Sequence, residues 1–163
     1  LASFAEHIQQ AKRSLSFLQV IHNSINDCTD WQITAAFYSS LHLLNAHIAT
    51  KGHQSRSHSD LKDLLNPYNS RSGLRLPEIE YTAYVSLQSL SRRARYMVNE
   101  KNNNLEQKQA FFIYDRHLAK ALRHLDTLMK YIAEKYDQRL PLLRVDCAGF
   151  KFENVKYITR KQN

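Results

Sequence analysis

Glycine and proline are scarce, with three of each in 163 residues. So few turn formers exclude an all-β chain built on many tight turns and favour long helices. Three scattered glycines also cannot build a phosphate-cradling loop, so the P-loop and dinucleotide-binding classes are removed and no cofactor is expected. Cysteine is scarcer still. Cys28 and Cys147 lie far apart without metal or redox spacing, and a reducing, cytoplasmic setting is the expectation. No apolar run approaches the length a membrane span needs, so no membrane is expected. The first residues lack the basic-then-apolar layout of a signal peptide, and the chain begins with Leu1 rather than Met, as a trimmed chain would.

What is present bounds the class. The length suits one domain with a real core, and 43% apolar residues is an ordinary globular content. The formal net charge is +8. A balance that positive points to an anionic partner, or else to a plain basic surface that keeps the protein in solution.

Hydrophobic periodicity organises the chain. Phe4, Ile8, Ala11, Leu15, Leu18 and Ile25 recur at helical steps, with His22 on the same face, and Ser3 with Glu6 predicts a capping box. A second helix is predicted from about Trp31 to Thr50, with Asp30 as N-cap and Gly52 just past its end. Its apolar residues, Trp31 and Tyr38 among them, run nearly all round, which places it centrally in a bundle. Ser57 or Ser59 is expected to cap a short helix through Leu64 and Leu65. Pro77 opens a third long helix, predicted from Glu78 to Val98, and the segment "NEKNNNLEQ" interrupts the pattern. The last long helix carries Phe111, Tyr114, Leu118, Ala121, Leu125, Leu128, Ile132 and Tyr136, and is expected to stop at Pro141.

After Pro141 the pattern changes. Val145, Phe150, Phe152, Val155, Tyr157 and Ile158 are β-type residues around Gly149, and a short hairpin or an extended arm is expected. The fold class is therefore all-α: an antiparallel four- or five-helix up-down bundle over 1–140, with a short extended or β-like tail over 141–163.

Chemistry is harder to find. His42 and His47 are five residues apart and point to different sides of one helix. His117 and His124 share a face, but each follows an arginine, and no Cys pair or H-E-x-x-H is present, so no metal site is expected. Asp60 and Asp63 are acids near a helix start, where the macrodipole favours them anyway. The one dense polar cluster is "SLSRRARYMVNEK", with Arg92, Arg93, Arg95 and Tyr96. Arginine beside an aromatic ring suits a phosphate and a base, since the guanidinium forks onto oxygens and the ring stacks. The same pattern also serves as a solvated helix face whose long side chains cover core surface.

The order of these motifs resembles the HEPN domain, a helical nucleotide-binding family of higher eukaryotes and prokaryotes. The residues that carry the resemblance are "AAFYSSLHLLNAHIATKG" in the second helix, "RSHSDLKDLL" after the polar loop, "LQSLSRRARYM" in the third long helix and "AFFIYDRHLAKALRHLDTLMKYI" at the end of the bundle, together spanning about Phe4 to Tyr136. The resemblance implies a homodimer that contacts nucleotide or RNA. It also implies a component of a toxin-antitoxin or defence system, often with a nucleotidyltransferase partner. By position it makes Tyr38, His42, His58, Arg92, Arg93, Arg95 and Tyr96 the candidate binding residues. One departure matters: ribonuclease members carry arginine and histidine with four to six residues between them. Here Arg13 precedes His22 by eight intervening residues, Arg56 precedes His58 by one and Arg116 precedes His124 by seven.

Three readings stand at this point. The first is a nucleotide- or RNA-binding HEPN-like domain. The second is a metal-independent endoribonuclease with a non-standard site, its histidine supplied by His42 or His58. The third is a protein–protein interaction bundle whose tail adds a strand to its partner.

Overall fold

Ser3 starts the first helix as predicted. Its hydroxyl accepts from the Glu6 N–H while Glu6 reaches back to the Ser3 N–H at 2.7 Å, closing a capping box. The computed structural model describes residues 1–97 and 112–162. Among these, five helices and two short strands follow one another: α1 (Phe4–Ser24), α2 (Thr29–Ala49), α3 (His58–Leu65), α4 (Glu78–Tyr96), α5 (Asp115–Tyr136), β1 (Leu143–Val145) and β2 (Ile158–Arg160).

The long helices run up-down-up-down. His7 lies against His42 and His22 against Gln32, so α1 and α2 are antiparallel. The start of α2 and the end of α4 line one groove. Arg93, near the end of α4, reaches the carbonyl of Phe112 just before α5. Helix α2 packs against α1, α4 and α5, which is the central position that its all-round apolar pattern predicts. Phe37, Leu43, Leu44 and Ile48 are wholly buried along it. Gly52 follows α2 with φ +71°, a left-handed turn that costs glycine little.

Several boundaries differ from the sequence expectation. Asp30 is not the cap of α2; the helix begins at Thr29 after Cys28, which makes no side-chain cap hydrogen bond. Of the two serines before α3, Ser57 is the cap, accepting from the Asp60 N–H at 3.1 Å. Pro77 occupies the cap position itself, one residue before α4 begins. Helix α4 ends at Tyr96, two residues short of the expected Val98, with Met97 capping it in the left-handed region. Val98, Phe111 and the whole of the "NEKNNNLEQ" interruption lie outside the described residues. Helix α5 ends at Tyr136, and the left-handed backbone of its cap Asp137 turns the chain four residues before Pro141.

The tail is neither a hairpin nor a free arm. β1 and β2 pair in parallel, Leu143 opposite Ile158, because residues 146–157 carry the chain back before the second strand starts. Leu143, Val145, Phe150, Tyr157 and Ile158 are buried and join the core. Two polar ties fix the tail to the bundle. Gln19 on α1 exchanges two hydrogen bonds with the Arg144 backbone, at 2.7 and 2.9 Å. The buried Asp126 on α5 accepts from the backbone N–H groups of Lys156 and Tyr157 at 3.0 and 2.6 Å. No helix among the described residues is long and apolar enough to cross a membrane.

Candidate nucleic-acid interface

Phe37 organises the candidate site. It is fully buried on α2, and three rings pack on it: Tyr38 at 5.6 Å between centroids, His58 at 5.5 Å and Tyr84 at 6.2 Å. His58 is held there by local structure. It is the first residue of α3, and the Ser57 cap together with Asp60, which accepts from the Arg56 N–H at 2.9 Å, fixes that turn. The sequence thus uses a serine cap to set a histidine, tilted at 56° to the Phe37 ring, against the core of α2.

Arg92 and Arg95 come from the last turns of α4, and their charges are felt at His58. Burial, then Arg95, then Arg92 push the imidazole below its usual pKa. Each disfavours the imidazolium, the first by desolvation and the other two by like charge. At neutral pH, His58 is therefore a neutral ring beside two cations. The Arg95 guanidinium lies over the exposed Tyr96 ring at 5.2 Å from its centroid, and its Nε donates to the Ser91 carbonyl at 3.3 Å. This cation–π pair presents charge and a stacking surface together.

The structure does not gather every candidate. Arg93 turns towards the start of α5, where Nε and Nη2 donate to the Phe112 carbonyl at 3.1 and 2.8 Å. Its charge also lowers the pKa of His117, behind the larger effect of burial. His42 turns towards α1 and sits 3.4 Å from His7, Nδ1 to Nδ1. Arg93 and Arg95 do share an open groove with Asp27, Thr29, Asp30 and Phe112. The two aspartates offset part of the positive charge on that side.

Sequence reasoning missed two features. Phe37 reads as an ordinary core residue, yet it is the ring on which Tyr38 and His58 meet. Trp31 reads as core too, but it is 62% exposed, against 39% for Tyr38. Residues seven apart share a helix face, and that spacing was the available signal that Trp31 and Tyr38 form one outward stripe. Among the described residues, no group of three or more His, Cys, Asp or Glu side chains is placed to hold a metal.

No protein-family model, curated protein or solved structure matches the chain.

Proposed function

We propose that this chain is a HEPN-like domain that binds nucleotide or single-stranded RNA on the face formed by Tyr38, His58, Arg92, Arg95 and Tyr96. The observation that carries the reading is His58 packed on Phe37 within the electrostatic reach of both Arg95 and Arg92. Three elements far apart in sequence supply two cations, a neutral imidazole and aromatic surface to one place. Two guanidinium groups suit phosphate oxygens, and Tyr38, Tyr96 and the exposed Trp31 offer rings for bases to stack on. The net charge of +8 supports the approach of a polyanion. By the resemblance in motif order, the domain works as a cytoplasmic homodimer in a toxin-antitoxin or defence pair, with a nucleotidyltransferase-type partner.

The test is binding of a labelled single-stranded RNA over a range of salt, by wild type and by Arg92→Ala/Arg95→Ala. Removal of two phosphate contacts is expected to flatten the slope of log K against log salt by about 1.4, at about 0.7 per contact on a single strand. An unchanged slope, or no binding by wild type, sinks the proposal.

A second reading has its own observation. A neutral histidine beside arginines is the equipment for metal-independent RNA cleavage, in which the imidazole takes the 2′-hydroxyl proton and the guanidinium stabilises the phosphorane charge. Cleavage without added metal that is lost in His58→Gln but not in His42→Gln would select this endoribonuclease reading. A protein with neither binding nor cleavage would be better described as an interaction bundle.

A further inference from the structure

Three histidines of this chain are committed to partners of other kinds. His47 is buried, with Nε2 donating to the Leu74 carbonyl at 2.9 Å and Nδ1 accepting from the Tyr136 hydroxyl at 2.5 Å. His22 lies between the Gln32 side chain at 2.8 Å and the Asp146 N–H at 2.9 Å. His117 accepts from the Tyr114 N–H at 2.9 Å. His7 and His42 differ. Each ring's hydrogen bond is to the other ring, Nδ1 to Nδ1 at 3.4 Å, across the seam between α1 and α2.

We propose that His7 and His42 form an open two-histidine site for a divalent first-row transition metal such as Zn²⁺, held by the two Nδ1 atoms and completed by water.

The geometry supports this in three ways. Two nitrogens 3.4 Å apart, each about 2.05 Å from a zinc ion, subtend an angle of about 110° at the metal, close to tetrahedral. The pair is built on regular helix, since His7 directly follows the capping box of α1 and His42 lies two turns before the end of α2. Both rings are half-buried, so the site is neither flattened into solvent nor sealed from it. Both rings must turn, since their Nδ1 atoms now face each other along the hydrogen bond and must converge on one ion at normal bond length. The donating ring's Nδ1 proton moves to Nε2, and two neutral imidazoles then bind without net proton release. Burial holds both rings below the usual histidine pKa, His7 is felt as a like charge at His42, and among the described residues Glu6 is the carboxylate acting on the pair, raising His7. Imidazole ligands suit zinc, copper and nickel over magnesium or calcium. The two remaining positions take water, because the described residues place no third His, Cys, Asp or Glu there. Periodicity within one helix cannot reveal such a site, because its ligands come from two.

The test uses the full chain stripped of metal by chelator. Melting is recorded with and without Zn²⁺, and Co²⁺ is titrated as a coloured substitute. A ligand that binds only the folded state stabilises it by mass action, so wild type is expected to gain roughly 5 °C at a hundredfold excess over the dissociation constant. Both His7→Gln and His42→Gln are expected to lose that rise and the ligand-field absorption of bound Co²⁺. His7→Gln lies on the half-exposed first turns of α1, so it keeps the test open if His42→Gln folds poorly; the metal-free melts of both variants establish folding beforehand. A wild type with no metal-dependent shift, or variants that keep it in full, would overturn the site.

Discussion

The carboxylate of Asp126 accepts a 2.6 Å hydrogen bond from the backbone N–H of Tyr157, 31 residues further along the chain. The same oxygen accepts from the Lys156 N–H at 3.0 Å, and Lys130 approaches the other oxygen at 3.6 Å. A carboxylate only 1% exposed is tolerable because it is met by these donors. It does for the tail what a neighbouring strand would do, satisfying amides at the entry to β2.

Asp126→Ala is therefore expected to cost about 2–3 kcal/mol, since it leaves a buried amide without an acceptor. The loss should be local first. Amide exchange at Tyr157 and Ile158 should speed up well before the helices unfold, while Asp126→Asn, which keeps one acceptor oxygen, should lie between. Urea unfolding with residue-resolved hydrogen exchange measures both. Equal exchange rates in wild type and Asp126→Ala would show that the tail is held by its apolar contacts alone.

Acid should destabilise this fold before its carboxylates titrate. Burial is the first cause of a lowered pKa at His7, His42, His47, His58, His117 and His124. Their folded values lie below the ordinary value of 6.5 that the unfolded chain takes. Above that pH both states are neutral at these sites and the fold has its full stability. As pH falls through 6.5 the unfolded chain binds protons first, and stability is lost until the folded values are passed. Urea midpoints should fall steadily between about pH 7 and pH 5. A midpoint that is flat or rising over that interval would contradict the assignment.

Gly52→Ala tests the end of α2. Its φ of +71° is left-handed, and a Cβ there would meet nothing within 4 Å. The cost is then conformational rather than steric crowding by neighbours, about 1–2 kcal/mol. Gly73, where a Cβ also has open space and φ is not left-handed, is the control; Gly73→Ala should be neutral or mildly stabilising. Chemical denaturation of the two variants side by side gives the comparison.

Much of the bundle was legible because helical periodicity is a local signal. The capping box at Ser3, the central place of α2 and the left-handed Gly52 all follow from residues within a turn or two of each other. The tail was not legible in the same way. Its strands pair in parallel through a twelve-residue return, and the residue that anchors it, Asp126, reads in sequence as one acid on an amphipathic helix. The candidate face was legible residue by residue but not as a set. Tyr38, His58, Arg92 and Arg95 could be singled out by type and motif order, whereas the turning of His42 towards His7 and of Arg93 towards Phe112 depends on helix rotation, which no spacing along one segment reveals.

Arg93 and Arg95 are two residues apart, yet they should respond differently to removal. The Arg93 guanidinium is forked onto the Phe112 carbonyl, tying the end of α4 to the approach of α5. Arg95 instead lies over Tyr96 and acts on His58. Arg93→Ala is therefore expected to lower stability by about 1–2 kcal/mol, the worth of a charge-assisted bond to a carbonyl at a partly exposed site, with a small effect on the salt slope of RNA binding. Arg95→Ala should leave the unfolding midpoint nearly unchanged and reduce that slope by about 0.7. Lysine tells the two roles apart again. Arg95→Lys keeps a phosphate charge and should restore most of the slope, whereas Arg93→Lys cannot fork onto one carbonyl and should not recover the stability. If the four variants instead moved binding and stability in proportion, the arginines would be acting through the fold alone, and the face around Phe37 would lose its claim to bind phosphate directly.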